Sequence, residues 1–265
     1  MASPQPGNPP RPRRSSTVLL IRDGESTPEV LMLKRHAKSA FGAVYVFPGG
    51  VVDACDSCTG DRCGAIGREQ AADLLGTDDA LDYFSAAVRE VFEETGVLLA
   101  NCTTASDPQR FACDADRRCL IEGDVSWDEF LRLRKLTLSS QDLHYFAHWI
   151  TPISEPKRFS TRFFLARMPE GQQASHDGHE LTDSCWMTAA DILEAQRAGQ
   201  MRLIYPTYRT LKDIVNKKTV TDVIDWAVER QRSGVARVLP AIVDIDGRDK
   251  VVLPGDPRYP VEEQE

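Results

Sequence analysis

Apolar side chains in this chain of 265 residues run together or alternate in some stretches and recur at helical intervals in others. Thr17-Val18-Leu19-Leu20-Ile21-Arg22 reads as a buried strand, and Asp23-Gly24 opens a turn toward a neighbouring strand at 29–35. Residues 44–47 make a third short strand that ends on a Pro48-Gly49-Gly50 turn. Further strands are predicted at 144–150, 162–167 and 180–186. Helices are predicted at 68–75, closed by Gly76, and at 127–136, 189–198, 206–215 and 222–231. The tail alternates again and predicts a hairpin around Asp246-Gly247. Residues 103–116 are polar and irregular.

One helix carries more than packing. Leu81, Phe84, Val88, Val91 and Phe92 fall on one face, while Glu90, Glu93 and Glu94 stand at i, i+3 and i+4 on the other. That pattern predicts an apolar face on a core with the acids looking outward. Asp78 or Asp79 can cap the start of this helix, and Gly96 supplies the stop. Three carboxylates near a helix C-terminus repel one another and oppose the macrodipole, so something positive must compensate them. A hard divalent cation with oxygen ligands fits that need. The string alone also fits a solvated acidic face with an Arg89–Glu93 pair.

Composition narrows the partners. A formal charge of −8 gives no general affinity for nucleic-acid backbones or anionic membranes, and no apolar run is long enough to span a bilayer. Five prolines and three arginines within residues 1–14 predict a disordered tail over 1–15. Seven cysteines, an odd number, with no apolar leader segment, set the expectation of a reducing cytoplasm and free thiols. Cys55, Cys58 and Cys63 leave half of a zinc site as the lesser alternative.

Gly50, Asp56 and the run Arg89 to Val97 together resemble the Nudix hydrolase motif, G-x5-E-x7-R-E-U-x-E-E-x-G-U with U aliphatic. Asp56 stands where the motif has Glu. Asp56 and Arg89 are 33 positions apart where the motif has eight, an insertion of 25 residues. The interrupted box, Leu33-Lys34-Arg35 upstream and Thr161-Arg162-Phe163-Phe164-Leu165-Ala166 downstream resemble the branch that includes the peroxisomal coenzyme A diphosphatase of animals and its bacterial relatives. The coenzyme A motif upstream of the box is matched only in Arg35 and in Phe47-Pro48-Gly49-Gly50.

The resemblance implies an α/β/α sandwich around a mixed sheet, spanning residues 16–236 with an insert at 57–81, C-terminal helices and an extension at 237–265. It implies Mg²⁺ or Mn²⁺ held by Glu90, Glu93 and Glu94, with the Gly49 carbonyl and a late acid, Glu180, as further ligands. Arg89 would orient the glutamates, and Arg35, Gly50 and Arg162 would meet the substrate. Asp56 is open between a catalytic role and anchoring the loop. The implied reaction is hydrolysis of a nucleoside diphosphate derivative, with coenzyme A or acyl-coenzyme A favoured. ADP-ribose, a dinucleotide or a nucleotide sugar are the alternatives, and a catalytically silent nucleotide-sensing module is the reading from another class. A homodimer is left open.

Overall fold

The computed structural model describes residues 9–35, 44–57, 60–102, 114–175 and 181–260. In chain order its strands begin with β1 (Arg13–Arg22), β2 (Glu29–Arg35), β3 (Tyr45–Val46) and β4 (Gly49–Val51), followed by helices α1 (Arg68–Leu75) and α2 (Ala80–Thr95). Then come β5 (Ala100–Cys102), α3 (Asp114–Glu122), α4 (Trp127–Leu133), β6 (Leu136–Leu138), β7 (His144–Ile150), β8 (Phe159–Arg167) and β9 (Leu181–Thr188). The chain closes with α5 (Ala189–Arg197), α6 (Tyr205–Ile214), α7 (Val220–Arg232), β10 (Arg237–Val238), β11 (Ala241–Ile245) and β12 (Arg248–Val252).

An eight-stranded mixed sheet forms the centre, in the order β10-β7-β8-β1-β2-β3, with β4 joined to β1 and β9 to β2. β1 runs parallel to β8 from Arg13 opposite Phe159 to Ile21 opposite Arg167. Its start pairs with β4, Ser16 opposite Gly50, and its end pairs with β2, Ile21 opposite Val30. This change of partner lets a two-glycine strand enter the sheet.

The sheet is buried on both faces, which is why its strands read as continuous apolar runs. Val18, Leu20, Leu31, Leu33 and Phe164 pack in one core with α2; Leu19, Ile21, Val30, Met32, Phe163 and Leu165 pack in the other with residues of α5, α6 and α7. The three layers are the expected α/β/α sandwich. α2 itself lies between the sheet and an outer layer: Trp127 Nε1 of α4 donates to Ser85 Oγ at 3.0 Å, and the Phe92 and Phe130 rings stack at 5.5 Å. The acids therefore do not look freely out to solvent as the helical pattern predicts: Glu94 is only 6% exposed, and Glu90 and Glu93 are half-buried.

Several expectations change. Arg13, Arg14 and Ser15, placed in the disordered tail, are the first residues of β1, held by the β8 ladder and by an Arg14–Asp79 ion pair. The Pro-Gly-Gly turn becomes β4. Predicted helix 127–136 stops at Leu133, since Leu136 is needed to pair with Cys102 in the small β5–β6 sheet. The helix α3 begins inside the segment expected to be irregular, of which residues 103–113 lie outside the described ones. Cys63, expected to be a free thiol, is disulfide-bonded. The predicted hairpin forms, with Asp246 at φ 56° and Gly247 at φ 74° in its turn. Among the described residues no helix is long and apolar enough to cross a membrane.

Candidate active site

The second half of α2 carries the acids, and β4 is laid against it. α2 ends at Gly96, whose φ of 72° gives the left-handed cap and whose N–H reaches the Phe92 carbonyl at 2.8 Å. Glu90 occupies the space where a side chain on Gly50 would begin: a Cβ there would lie 2.4 Å from the Glu90 carboxyl carbon. One residue earlier, the Gly49 N–H donates to Glu94 Oε2 at 2.8 Å. A Cβ on Gly49, at φ 153°, would strike the Ser16 carbonyl at 2.3 Å. Ser15 Oγ fixes the strand from its other side, donating to the Gly50 carbonyl at 2.7 Å. The glycines are thus required by close approach of backbone to two glutamates and to β1.

Arg89 ties the acids together. Its Nε and Nη2 form a fork on Asp56, 2.8 Å to Oδ1 and 2.9 Å to Oδ2, and Nη2 also donates to the Val51 carbonyl at 2.9 Å. Nη1 is shared between Glu93 Oε2 at 2.8 Å and Glu90 Oε1 at 2.9 Å. Asp56, 0% exposed, sits in a single helical turn (Ala54–Asp56) in which the Asp53 N–H donates to its Oδ2 at 2.8 Å. That turn returns Asp56 beneath α2 before the insertion departs. The insertion is fastened elsewhere, by an Arg62–Asp128 ion pair at 2.6 Å and by Gly64 packed against the Leu138 carbonyl.

The electrostatics follow from burial. Burial pushes Glu90 up to about 7, with Arg89 opposing the rise and the Glu93 charge adding to it. Glu93 is raised too, by burial first. Burial alone would lower Arg89, but the Asp56 hydrogen bonds and the charges of Glu90 and Asp56 more than offset it. The unfavourable macrodipole is offset by Arg117 of α3, whose Nε donates to the Glu93 carbonyl at 2.8 Å while Nη1 reaches Ser175 Oγ at 3.3 Å. Ser175 N–H in turn donates to the Thr95 carbonyl at 2.9 Å. Nothing in the sequence pattern singles out Arg117, which lies 24 positions from its partner.

Glu90, Glu93, Glu94, Arg89, Gly49 and Gly50 are thus brought together. Arg35 joins them from the end of β2, its Nη2 donating to the Gly49 carbonyl at 3.2 Å and standing 3.9 Å from Glu94 Oε1. Arg162 does not join them. It is buried over the Tyr83 ring at 4.9 Å, with Nη1 at 2.6 Å from His148 Nε2 and Nη2 donating to the Leu75 carbonyl at 3.0 Å. Burial, then the Arg162 charge, lowers His148 to about 3, so the imidazole is neutral and accepts this bond. Arg162 therefore braces α1 and α2 on the sheet and offers no surface to a substrate. Glu180 lies outside the described residues.

The donor set suits a hard divalent cation in type: three carboxylates and a backbone carbonyl, with Gly50 leaving room for Glu90. As they stand, no group of three or more His, Cys, Asp or Glu side chains among the described residues is gathered closely enough to hold a metal ion. Arg89 holds Glu90 and Glu93, and the Gly49 N–H with the nearby Arg35 holds Glu94.

A family model described as the NUDT19 Nudix domain matches residues 62–214. Acyl-coenzyme A diphosphatase NUDT19 of Xenopus laevis is 25% identical over 272 residues, covering 88% of this chain and 71% of that protein. Putative nudix hydrolase 7 of Caenorhabditis elegans is 28% identical over 251 residues, covering 92% and 74%. The crystal structure of a NUDIX hydrolase from Alicyclobacillus acidocaldarius has a TM-score of 0.65 and 26% identity, covering 77% of this chain and 91% of that one.

Proposed function

We propose, for a chain that belongs to the Nudix hydrolase family, that the diphosphate it cleaves is that of coenzyme A and its acyl esters. The products would be a 4′-phosphopantetheine species and adenosine 3′,5′-bisphosphate. The observation that carries a hydrolytic reading is the contact of the Gly49-Gly50 strand with Glu90 and Glu94, since it leaves three carboxylates on one short stretch of helix beside the Gly49 carbonyl, which accepts from Arg35. The name of a similar protein, acyl-coenzyme A diphosphatase NUDT19 of Xenopus laevis, supports the substrate.

Glu90, Glu93, Glu94 and the Gly49 carbonyl would hold Mg²⁺ or Mn²⁺. When bound, such an ion neutralises phosphate charge and lowers the pKa of water. Arg89 keeps Glu90 and Glu93 on one side of the helix through a single shared nitrogen. Glu90 can take the proton of the attacking water at Oε2, since Oε1 faces Arg89. Asp56 acts at one remove, by fixing Arg89.

The test is a panel of coenzyme A, an acyl ester, ADP-ribose, NADH and nucleotide sugars, incubated with Mg²⁺ and resolved by mass. Release of adenosine 3′,5′-bisphosphate from the first two at the highest kcat/KM is expected. Rapid cleavage of ADP-ribose beside inert coenzyme A esters would replace this substrate with the nucleotide alternatives, and no turnover of any would leave a nucleotide-sensing module.

A further inference from the structure

Two guanidiniums hold the acids of this site, and they differ. Arg89 is buried with its three nitrogens engaged by Asp56, Glu90, Glu93 and the Val51 carbonyl. Arg35 is 29% exposed at its side chain. Its side-chain polar contacts among the described residues are a 3.2 Å bond to the Gly49 carbonyl and a 3.9 Å approach to Glu94 Oε1. Those are two of the hard oxygens that the donor set offers to a divalent cation.

Resting on the metal-dependent reading above, we propose that Arg35 stands in the cation's place in the metal-free chain, is displaced when a divalent cation binds, and then turns its guanidinium to the substrate diphosphate. The strand fixes where this happens. Leu31, Leu33 and Arg35 alternate onto the α2 face of β2, the first two in the core and the third where the core ends. The backbone of Arg35 is held, its N–H donating to the Val44 carbonyl at 3.0 Å, and the β2–β9 register shifts between Lys34 and Arg35. A long side chain on a fixed root can therefore exchange partners without moving the strand.

Electrostatics supplies the exchange. A guanidinium and a divalent cation cannot share Glu94 and the Gly49 carbonyl, because like charges at that separation repel strongly. Until the cation arrives, the Arg35 charge offsets Glu94, whose other oxygen stays on the Gly49 N–H. Once released, the planar fork of a guanidinium matches phosphate oxygens, and its partial exposure leaves it free to reach them.

The experiment titrates the full chain with Mn²⁺ in the absence of substrate and reads free Mn²⁺ by electron paramagnetic resonance. Wild type is compared first with Glu94→Gln. A site lost in that variant supports the metal reading, whereas no site in wild type removes that reading independently of Arg35. Arg35→Met and Arg35→Gln are then expected to bind Mn²⁺ about tenfold more tightly, the order expected from losing one charge-assisted contact. With Mn²⁺ saturating, both should bind ADP about tenfold more weakly. A damaged fold would weaken Mn²⁺ binding, so tightening cannot arise from misfolding. Mn²⁺ affinity unchanged or lower in both variants overturns the displacement, and unchanged ADP affinity overturns the transfer of Arg35 to the diphosphate.

Discussion

Glu90→Gln should make the metal-free protein more stable at pH 8 while removing its activity. Burial raises Glu90 from 4.5 to about 7, so the folded chain prefers the protonated carboxyl. The sign follows directly: the contribution is fully present below 4.5, where Glu90 is neutral folded or unfolded, and is lost as pH rises through 7. Each tenfold change in proton affinity is worth about 1.4 kcal/mol, so a charged Glu90 at pH 8 costs the fold about 3 kcal/mol. Glutamine has nearly the same shape, carries no charge, and keeps an oxygen to accept from Arg89 Nη1, where Glu90 Oε1 now lies at 2.9 Å. Its introduction removes most of that cost.

For a chain of this size, about 2–4 °C per kcal/mol translates this into a rise in Tm of about 6–12 °C. The assay is thermal unfolding with a chelator at pH 8 and again at pH 4.5, where the two proteins should melt together. Added Mg²⁺ should reverse the order at pH 8, because only the wild type then gains binding free energy in the folded state. A variant less stable than wild type at pH 8, or one equally stabilised at both pH values, would refute the assignment of a buried, strained carboxylate.

Two other substitutions probe the frame around the acids. Arg89→Lys cannot reproduce the fork on Asp56 together with the bonds to Glu93 and the Val51 carbonyl, and should lose about 3 kcal/mol in chemical denaturation and most of the turnover. Gly50→Ala puts a methyl 2.4 Å from the Glu90 carboxylate; it should cost about 1–3 kcal/mol and depress kcat far more than it lowers Tm, which steady-state kinetics beside a melting curve will show.

The parts of this site visible in the sequence are those set by local periodicity. Glu90, Glu93 and Glu94 fall together because a helix places i, i+3 and i+4 on one face, and Gly96 ends it because its φ of 72° disfavours other residues. The same reasoning locates α1, which ends at Leu75 before Gly76 at φ 67°. What local pattern leaves out are contacts decided by distant partners. Two glycines have no strand propensity, so β4 is legible only once Ser15, Ser16 and Thr17 are known to lie beside it. Arg162 alternates onto the α2 face, as a substrate-binding arginine would, but α1 and Tyr83 close over it. The helical wheel turns the acids outward for the same reason, since α4 and β4 cover α2 from sides that no wheel records. Asp56 shows the converse: a shorter acid and a 25-residue interruption leave its bond to Arg89 intact, because the turn at 54–56 returns it to the helix before the insertion begins.

The central claim, that the α2 acids against the Gly49-Gly50 strand hydrolyse a diphosphate, is tested most directly by Glu94→Gln. With coenzyme A and Mg²⁺, release of adenosine 3′,5′-bisphosphate should fall by orders of magnitude while circular dichroism and Tm show the fold kept. Turnover equal to wild type in that variant would contradict the claim.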